Sequence, residues 1–140
     1  MTTLTTTVHT RAPAGALKAY RALLGLTALG VLLQGLWAGI FLEHDGQRDA
    51  ARSWIEVHAR GADLCILLAA TATVLAFVRL RHRRDLWLGG GLLVGLLVFE
   101  AYLGGLIVDN SKDSLTAVHV PLALLLTALV VALPLRARES

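Results

Sequence analysis

Long apolar runs alternate along the chain with short clusters of charged residues. Four runs are long enough to cross a bilayer as helices: residues 22–42, 55–78, 86–108 and 115–135. A hydrocarbon core of about 30 Å requires about 20 helical residues. Lipid offers no hydrogen-bond partners, so each open-ended span must satisfy its backbone internally as a helix. The pattern predicts an all-α protein built as a four-transmembrane-helix bundle.

The N-terminal region differs from the rest of the chain. Residues 1–16 are rich in Thr and Ala without apolar periodicity, and predict a disordered cytoplasmic tail. Residues 17–140 then form one four-helix transmembrane domain. The first span exceeds a signal-peptide core and lacks an A-x-A-like site before Glu43, so we expect a retained helix. The capping box Ser53–Glu56 predicts where the second helix starts.

Composition supports a membrane protein and argues against a nucleic-acid partner. The chain is 56% hydrophobic and 16% charged, whereas soluble domains carry about 25% charged residues. The net charge of +3 could suggest nucleic-acid binding, but the arginines flank apolar spans. We therefore expect the lipid bilayer as the main partner, with a membrane protein partner or a homo-oligomer as further candidates and no nucleic acid.

The distribution of basic residues predicts the orientation. The termini and the loop after the second span hold nine of the thirteen basic residues, namely Arg11, Lys18, Arg21, Arg79, Arg81, Arg83, Arg84, Arg136 and Arg138. The other side holds four, namely Arg48, Arg52, Arg60 and Lys112. Because basic loops stay in the cytoplasm, we expect a multi-pass protein of the cell membrane with both termini cytoplasmic.

The two halves of the chain resemble each other. Gln34–Leu42 in the first span and Glu100–Val108 in the third share a polar residue followed by small, large and apolar residues in the same order. His58 and His119 lie near the outer starts of the second and fourth helices. This predicts two tandem helical hairpin repeats, related by an axis along the membrane normal. The alternative is a chance likeness between apolar segments.

The repeat would bring two histidines to the same depth on different helices. His58 and His119 would then face the bundle axis, an arrangement that can hold a haem iron between two neutral nitrogens. Arg60, near the same end, could pair with haem propionates. The alternatives are interfacial histidines hydrogen-bonded to carbonyls or lipid headgroups, and a plain snorkelling arginine.

Glu100 is the most unusual residue of the spans. It lies eight residues before the outer end of the third span, which corresponds to a depth of about 12 Å. A carboxylate at that depth is a candidate proton carrier, or a partner to Gln34, Asp63 or a histidine. The alternative is a protonated side chain that only joins helices. Asp63 lies about one turn after His58 and could orient its ring.

Three segments resemble one four-helix half of the haem A synthase family: Gln34–Leu42, Glu100–Val108 and Leu115–Ala123. That family has a Q-x-x-x-G-like run in its odd helices and a haem-ligating histidine at the outer start of its even helices. The resemblance covers about residues 22–135. Small actinobacterial four-helix membrane proteins share the same general pattern.

The resemblance implies that His58 and His119 are the iron ligands of one haem. The family has eight helices and two haem sites, whereas this chain has four predicted helices. Glu100 stands where the family has glutamine, and the family's E-x-x-H-R sequence is not reproduced around His58. These departures argue against synthase activity more strongly than they argue against a bound haem.

The sequence therefore predicts an integral membrane protein that binds one b-type haem between two histidines. Its function would be haem processing or electron transfer. The alternative is a non-catalytic accessory or structural membrane subunit without a cofactor. A proton-coupled carrier that uses Glu100 is a third hypothesis. Enzymatic activity is left open.

Overall fold

The computed structural model describes residues 14–44 and 47–138, apart from the side chain of Arg48. This part of the chain has no strand and contains four long helices: α1 (Ala14–Leu42), α2 (Arg48–Arg79), α3 (Arg84–Asp109) and α4 (Thr116–Arg136). A short 3-10 turn, Asp113–Leu115, precedes α4. Each helix is long and apolar enough to cross a membrane. The predicted all-α four-helix architecture is confirmed, and the protein is a multi-pass membrane protein.

Short connections make the four helices run alternately up and down. Each helix packs against the next one in the chain, and α4 packs against α1 to close the ring. The α1–α2 interface is the most extensive. Within the described residues the backbones of the diagonal pairs, α1 with α3 and α2 with α4, stay apart.

Glycines permit close packing between neighbouring helices. A Cβ added to Gly30 in α1 would lie only 2.6 Å from Sγ of Cys65 in α2, and one added to Gly90 in α3 would lie 2.5 Å from Oγ1 of Thr73. Small residues allow backbones in membrane bundles to approach and gain van der Waals contact. Cys65 is buried and unpaired, consistent with a packing role.

The apolar core fills one half of the bundle, toward the chain termini. Its buried residues are Tyr20, Leu24, Val31, Cys65, Ala69, Ala72, Ala76, Leu80, Leu86, Leu93, Leu97, Leu126, Val130, Leu133 and Ala137. In the other half, the buried residues of the described chain are Ala51, Glu100 and Leu103. The tightly packed core therefore ends about one turn below Glu100, and the polar residues lie beyond it.

Polar contacts close the end of the bundle at which the termini lie. The Tyr20 hydroxyl, fully buried, donates to the carbonyl oxygen of Leu86 at 3.1 Å. Arg83 binds both carboxylate oxygens of Asp85 at 3.0 and 2.9 Å, and donates to the carbonyl of Arg136 at 3.0 Å. These bonds join α1 to α3 and the α2–α3 connection to the end of α4.

The helices extend further than the charge-free runs. Helix α1 begins at Ala14, within the predicted tail, most of which lies outside the described residues. Helix α2 begins at Arg48, so the predicted start at the Ser53–Glu56 capping box is wrong. A charge-free run marks the part of a helix that lies in hydrocarbon, whereas Ala, Arg and Glu continue a helix well into the interface.

The buried Tyr20 bond predicts a measurable contribution to stability. Tyr20→Phe leaves the Leu86 carbonyl without this donor, so we expect a loss of about 1–3 kcal/mol in the free energy of unfolding. Denaturation in mixed detergent micelles, followed by circular dichroism, measures it. Tyr102→Phe is the matched control, because Tyr102 is 60% exposed. Equal stability of the two variants would contradict the prediction.

Candidate functional site

His58 is held against α1 by a backbone carbonyl and an aromatic ring. Its Nδ1 lies 3.1 Å from the carbonyl oxygen of Gln34. The Phe41 ring meets the imidazole edge to face, with the ring centroids 5.5 Å apart. A carbonyl oxygen can only accept, so this contact is a hydrogen bond in the tautomer that carries its proton on Nδ1. In that tautomer Nε2 of His58 has the available lone pair.

The side-chain amide of Gln34 also binds the backbone around His58. Its neighbours fix its orientation, in which the NH2 group donates to the carbonyl of His58 at 2.8 Å and the oxygen accepts from the N–H of Ala62 at 3.1 Å. The amide nitrogen is also 3.0 Å from Nδ1 of His58, but in the tautomer described above Nδ1 donates to the Gln34 carbonyl. The amide thus joins α1 to one turn of α2.

Gly61 makes this approach of the two helices feasible. A Cβ at Gly61 would overlap the Gln34 amide and the Trp37 ring. No side chain other than hydrogen fits there unless both neighbours move. Gly61 is thus a site residue that sequence reasoning missed. The only indication of its role in the sequence was its position three residues after His58.

His119 has a different partner, on α3. Its Nδ1 is in contact with Oε2 of Glu100, without the angular geometry of a hydrogen bond. Glu100 is 7% exposed, and its Oε1 has no hydrogen-bond partner among the described residues. A Cβ at Gly104 would lie 3.7 Å from Cε1 of His119, so the ring packs over this glycine. Glu100 faces the bundle interior.

These two contacts match the repeat seen in the sequence. Gln34 and Glu100 occupy corresponding positions in α1 and α3, and each lies beside the histidine of the next helix, His58 or His119. The polar residue of each odd helix therefore meets the histidine of its own hairpin. This supports two tandem hairpin repeats over a chance likeness.

The two histidines are on diagonal helices, α2 and α4. Neither Nε2 forms a hydrogen bond with any residue that the structure describes. The structure brings each ring to its own polar partner and does not bring the two rings into contact with each other.

Other predicted neighbours of the site are elsewhere. Asp63 is exposed, so its predicted roles as the residue that orients His58 and as a partner of Glu100 are wrong; the Gln34 carbonyl holds the His58 ring instead. Arg60 is exposed and has no ion pair within the described chain.

His44 has a structural role that the sequence did not reveal. Its Nδ1 donates to the carbonyl oxygen of Ile40 at 2.9 Å. It thereby satisfies one of the carbonyls left open at the end of α1. Asp45 of the same loop lies outside the described residues. Among the residues that are described, no group of three potential ligands could hold a metal ion.

Comparison of the chain with protein-family models, curated proteins and solved structures gave no match. The class of protein defined by fold and site is therefore a four-helix membrane protein with two histidine-centred polar contacts. The likeness to a half of a haem A synthase stays a prediction from the residues.

The site geometry predicts opposite effects for two glycine substitutions. Gly61→Ala inserts a methyl group between α2 and the Gln34 and Trp37 side chains, so we expect a loss of about 1–3 kcal/mol in unfolding free energy. Gly35→Ala is the control, since a Cβ there meets nothing within 4 Å; it should stabilise by up to about 1 kcal/mol through helix propensity. Micellar denaturation measures both. A neutral Gly61→Ala would contradict the close contact.

Proposed function

We propose that this protein holds one b-type haem between His58 and His119, and that it serves electron transfer or haem processing. A histidine that binds a metal nearly always donates its other ring N–H to a carbonyl or a carboxylate. His58 has the Gln34 carbonyl at Nδ1, and His119 has the Glu100 carboxylate. This matched placement of a polar oxygen at each Nδ1 is the observation that carries the proposal, in which each Nε2 would bind the iron.

The fold also fits a ligand held between two helices. Cofactors of helical bundles bind between side chains of facing helices, and His58 and His119 belong to the diagonal pair α2 and α4. The tightly packed apolar core ends below them. Haem would supply reversible one-electron chemistry at its iron. The chain would supply the two imidazoles, their orientation and exclusion of water.

Two further residues have roles in this proposal. Glu100 positions the His119 ring, because its carboxylate is buried in contact with Nδ1; it also stays our candidate for a proton carrier. Arg60 is exposed two residues after His58 and is the candidate partner for a propionate.

The proposed orientation follows the basic residues. The α2–α3 connection and the described parts near both termini lie at one end of the bundle, and this end carries most of the arginines. Basic segments are retained in the cytoplasm. We therefore place the protein in the cell membrane with both termini inside, so that the histidines lie nearer to the outer surface.

Cysteine labelling tests this orientation. In a Cys65→Ala background, a membrane-impermeant maleimide added to whole cells should modify Gln47→Cys and Lys112→Cys, but not His82→Cys. Permeabilised cells provide the control for reactivity, since all three positions are exposed. The reverse labelling pattern would show that the termini face outward.

An absorption spectrum tests haem binding. Protein purified in mild detergent should show a low-spin b-type spectrum that sharpens on reduction with dithionite. His58→Ala and His119→Ala each remove one ligand and should abolish that spectrum or convert it to high spin.

Two other histidines, which lie away from the proposed iron site, serve as matched controls. His44 caps α1 and His82 is exposed, so His44→Ala and His82→Ala should leave the spectrum unchanged. A wild-type protein that contains no haem, and takes up none when haem is added, would overturn the proposal.

A non-catalytic accessory subunit is the alternative function. The observation in its favour is that both polar contacts join neighbouring helices and could serve packing alone. The Gln34 amide in particular spans α1 and α2 without needing any ligand. A colourless protein in which His58→Ala and His119→Ala only lower stability would favour this function.

A further inference from the structure

We infer that the groove between α1 and the end of α4 binds the headgroup of one anionic phospholipid. Three cationic residues line this groove: Lys18 and Arg21 from α1, and Arg138 just after α4. The rest of its lining consists of Ala22, Gly25 and Pro134. The groove combines positive charge at its mouth with an apolar floor of small residues. This proposal is independent of haem binding.

The cations of the groove have no counter-charge in the described chain. No acidic residue lines the groove, and none of its three cations forms an ion pair with a described residue. Arg83, at the same end of the bundle, contrasts with them because Asp85 binds it through two bonds. Three like charges brought together by the fold favour an anion between them, and a phosphate diester has the appropriate charge and acceptor oxygens.

The position of the groove favours a lipid over a free phosphate ion. Lys18 and Arg21 flank the fully buried Tyr20, where the apolar core begins. Basic side chains at this level reach the headgroup region while their stems stay in hydrocarbon. Basic pockets between transmembrane helices bind anionic headgroups on the cytoplasmic side.

The floor of the groove has room for an acyl chain. A Cβ added to Gly25 meets nothing within 4 Å, so this surface of α1 is open. An acyl chain can therefore lie against the helix while the headgroup contacts the cations above. A free anion would use the charges but would leave the apolar floor uncovered.

A second groove provides an internal contrast. It runs between α2 and α3 and is lined by Thr73, Val74, Phe77, Trp87, Leu88, Gly91 and Leu92. None of these residues is charged, so this groove suits acyl chains without distinguishing between headgroups. Selectivity for anionic lipid should therefore depend on the α1–α4 groove.

Native mass spectrometry tests the inference. The full chain, in detergent with equimolar phosphatidylglycerol and phosphatidylcholine, should retain one phosphatidylglycerol preferentially. Arg21→Gln together with Arg138→Gln should reduce this preference by about fivefold for each cation removed. The matched control is Arg79→Gln together with Arg84→Gln, which removes the same charge at the same end of the bundle but outside the groove. It should keep the wild-type preference.

A substitution that keeps every charge distinguishes lipid binding in the groove from general attraction of anionic lipid to a positively charged surface. Gly25→Leu fills the apolar floor, and leucine suits a helix better than glycine, so the protein should fold. We expect it to weaken phosphatidylglycerol retention by about tenfold while inorganic phosphate, added as a competitor, has no effect on the wild type. Equal loss of preference in the groove and control double variants would overturn the inference. So would displacement of lipid by phosphate, or wild-type retention by Gly25→Leu.

Discussion

Polar groups that enter lipid must be satisfied by the protein itself, because the hydrocarbon supplies no hydrogen bonds. For the backbone, this requirement produces four helices joined by short connections. For the side chains, it brings Gln34 to His58 and Glu100 to His119, each pair on neighbouring helices. Thr27 meets the same requirement within its own helix, because its hydroxyl donates to the carbonyl oxygen of Leu23 at 2.9 Å.

These contacts divide the bundle into two halves with different properties. Toward the termini, apolar side chains and glycine contacts pack the helices closely, and the Tyr20 and Arg83 bonds close the end. Toward the other end, burial is concentrated at Glu100 and Leu103. A rigid half that positions a less tightly packed polar half is a physically reasonable basis for a binding site, since precise sites need support from well-packed elements.

The sequence predicted the number of helices, because hydropathy depends on composition alone, and it identified Glu100 as a charged residue deep in a span. It did not predict where α1 and α2 begin, since residues such as Arg48 extend a helix beyond the apolar run. It left open whether Glu100 contacts Gln34, Asp63 or a histidine, and the structure shows the contact with His119. The rotation of each helix about its axis decides such contacts, and the spans are apolar on nearly every face.

Because the two hairpins resemble each other, their corresponding histidines can be compared directly. The corresponding histidines have unlike partners at Nδ1: a neutral backbone carbonyl for His58 and a carboxylate for His119. A carboxylate at Nδ1 makes the opposite ring nitrogen a more basic ligand than a carbonyl does. The glutamine of the first hairpin instead uses its side chain to join α1 to the His58–Ala62 turn of α2. The two corresponding polar residues therefore make different contacts: the Gln34 amide binds the backbone of α2, whereas the Glu100 carboxyl group contacts the imidazole of His119.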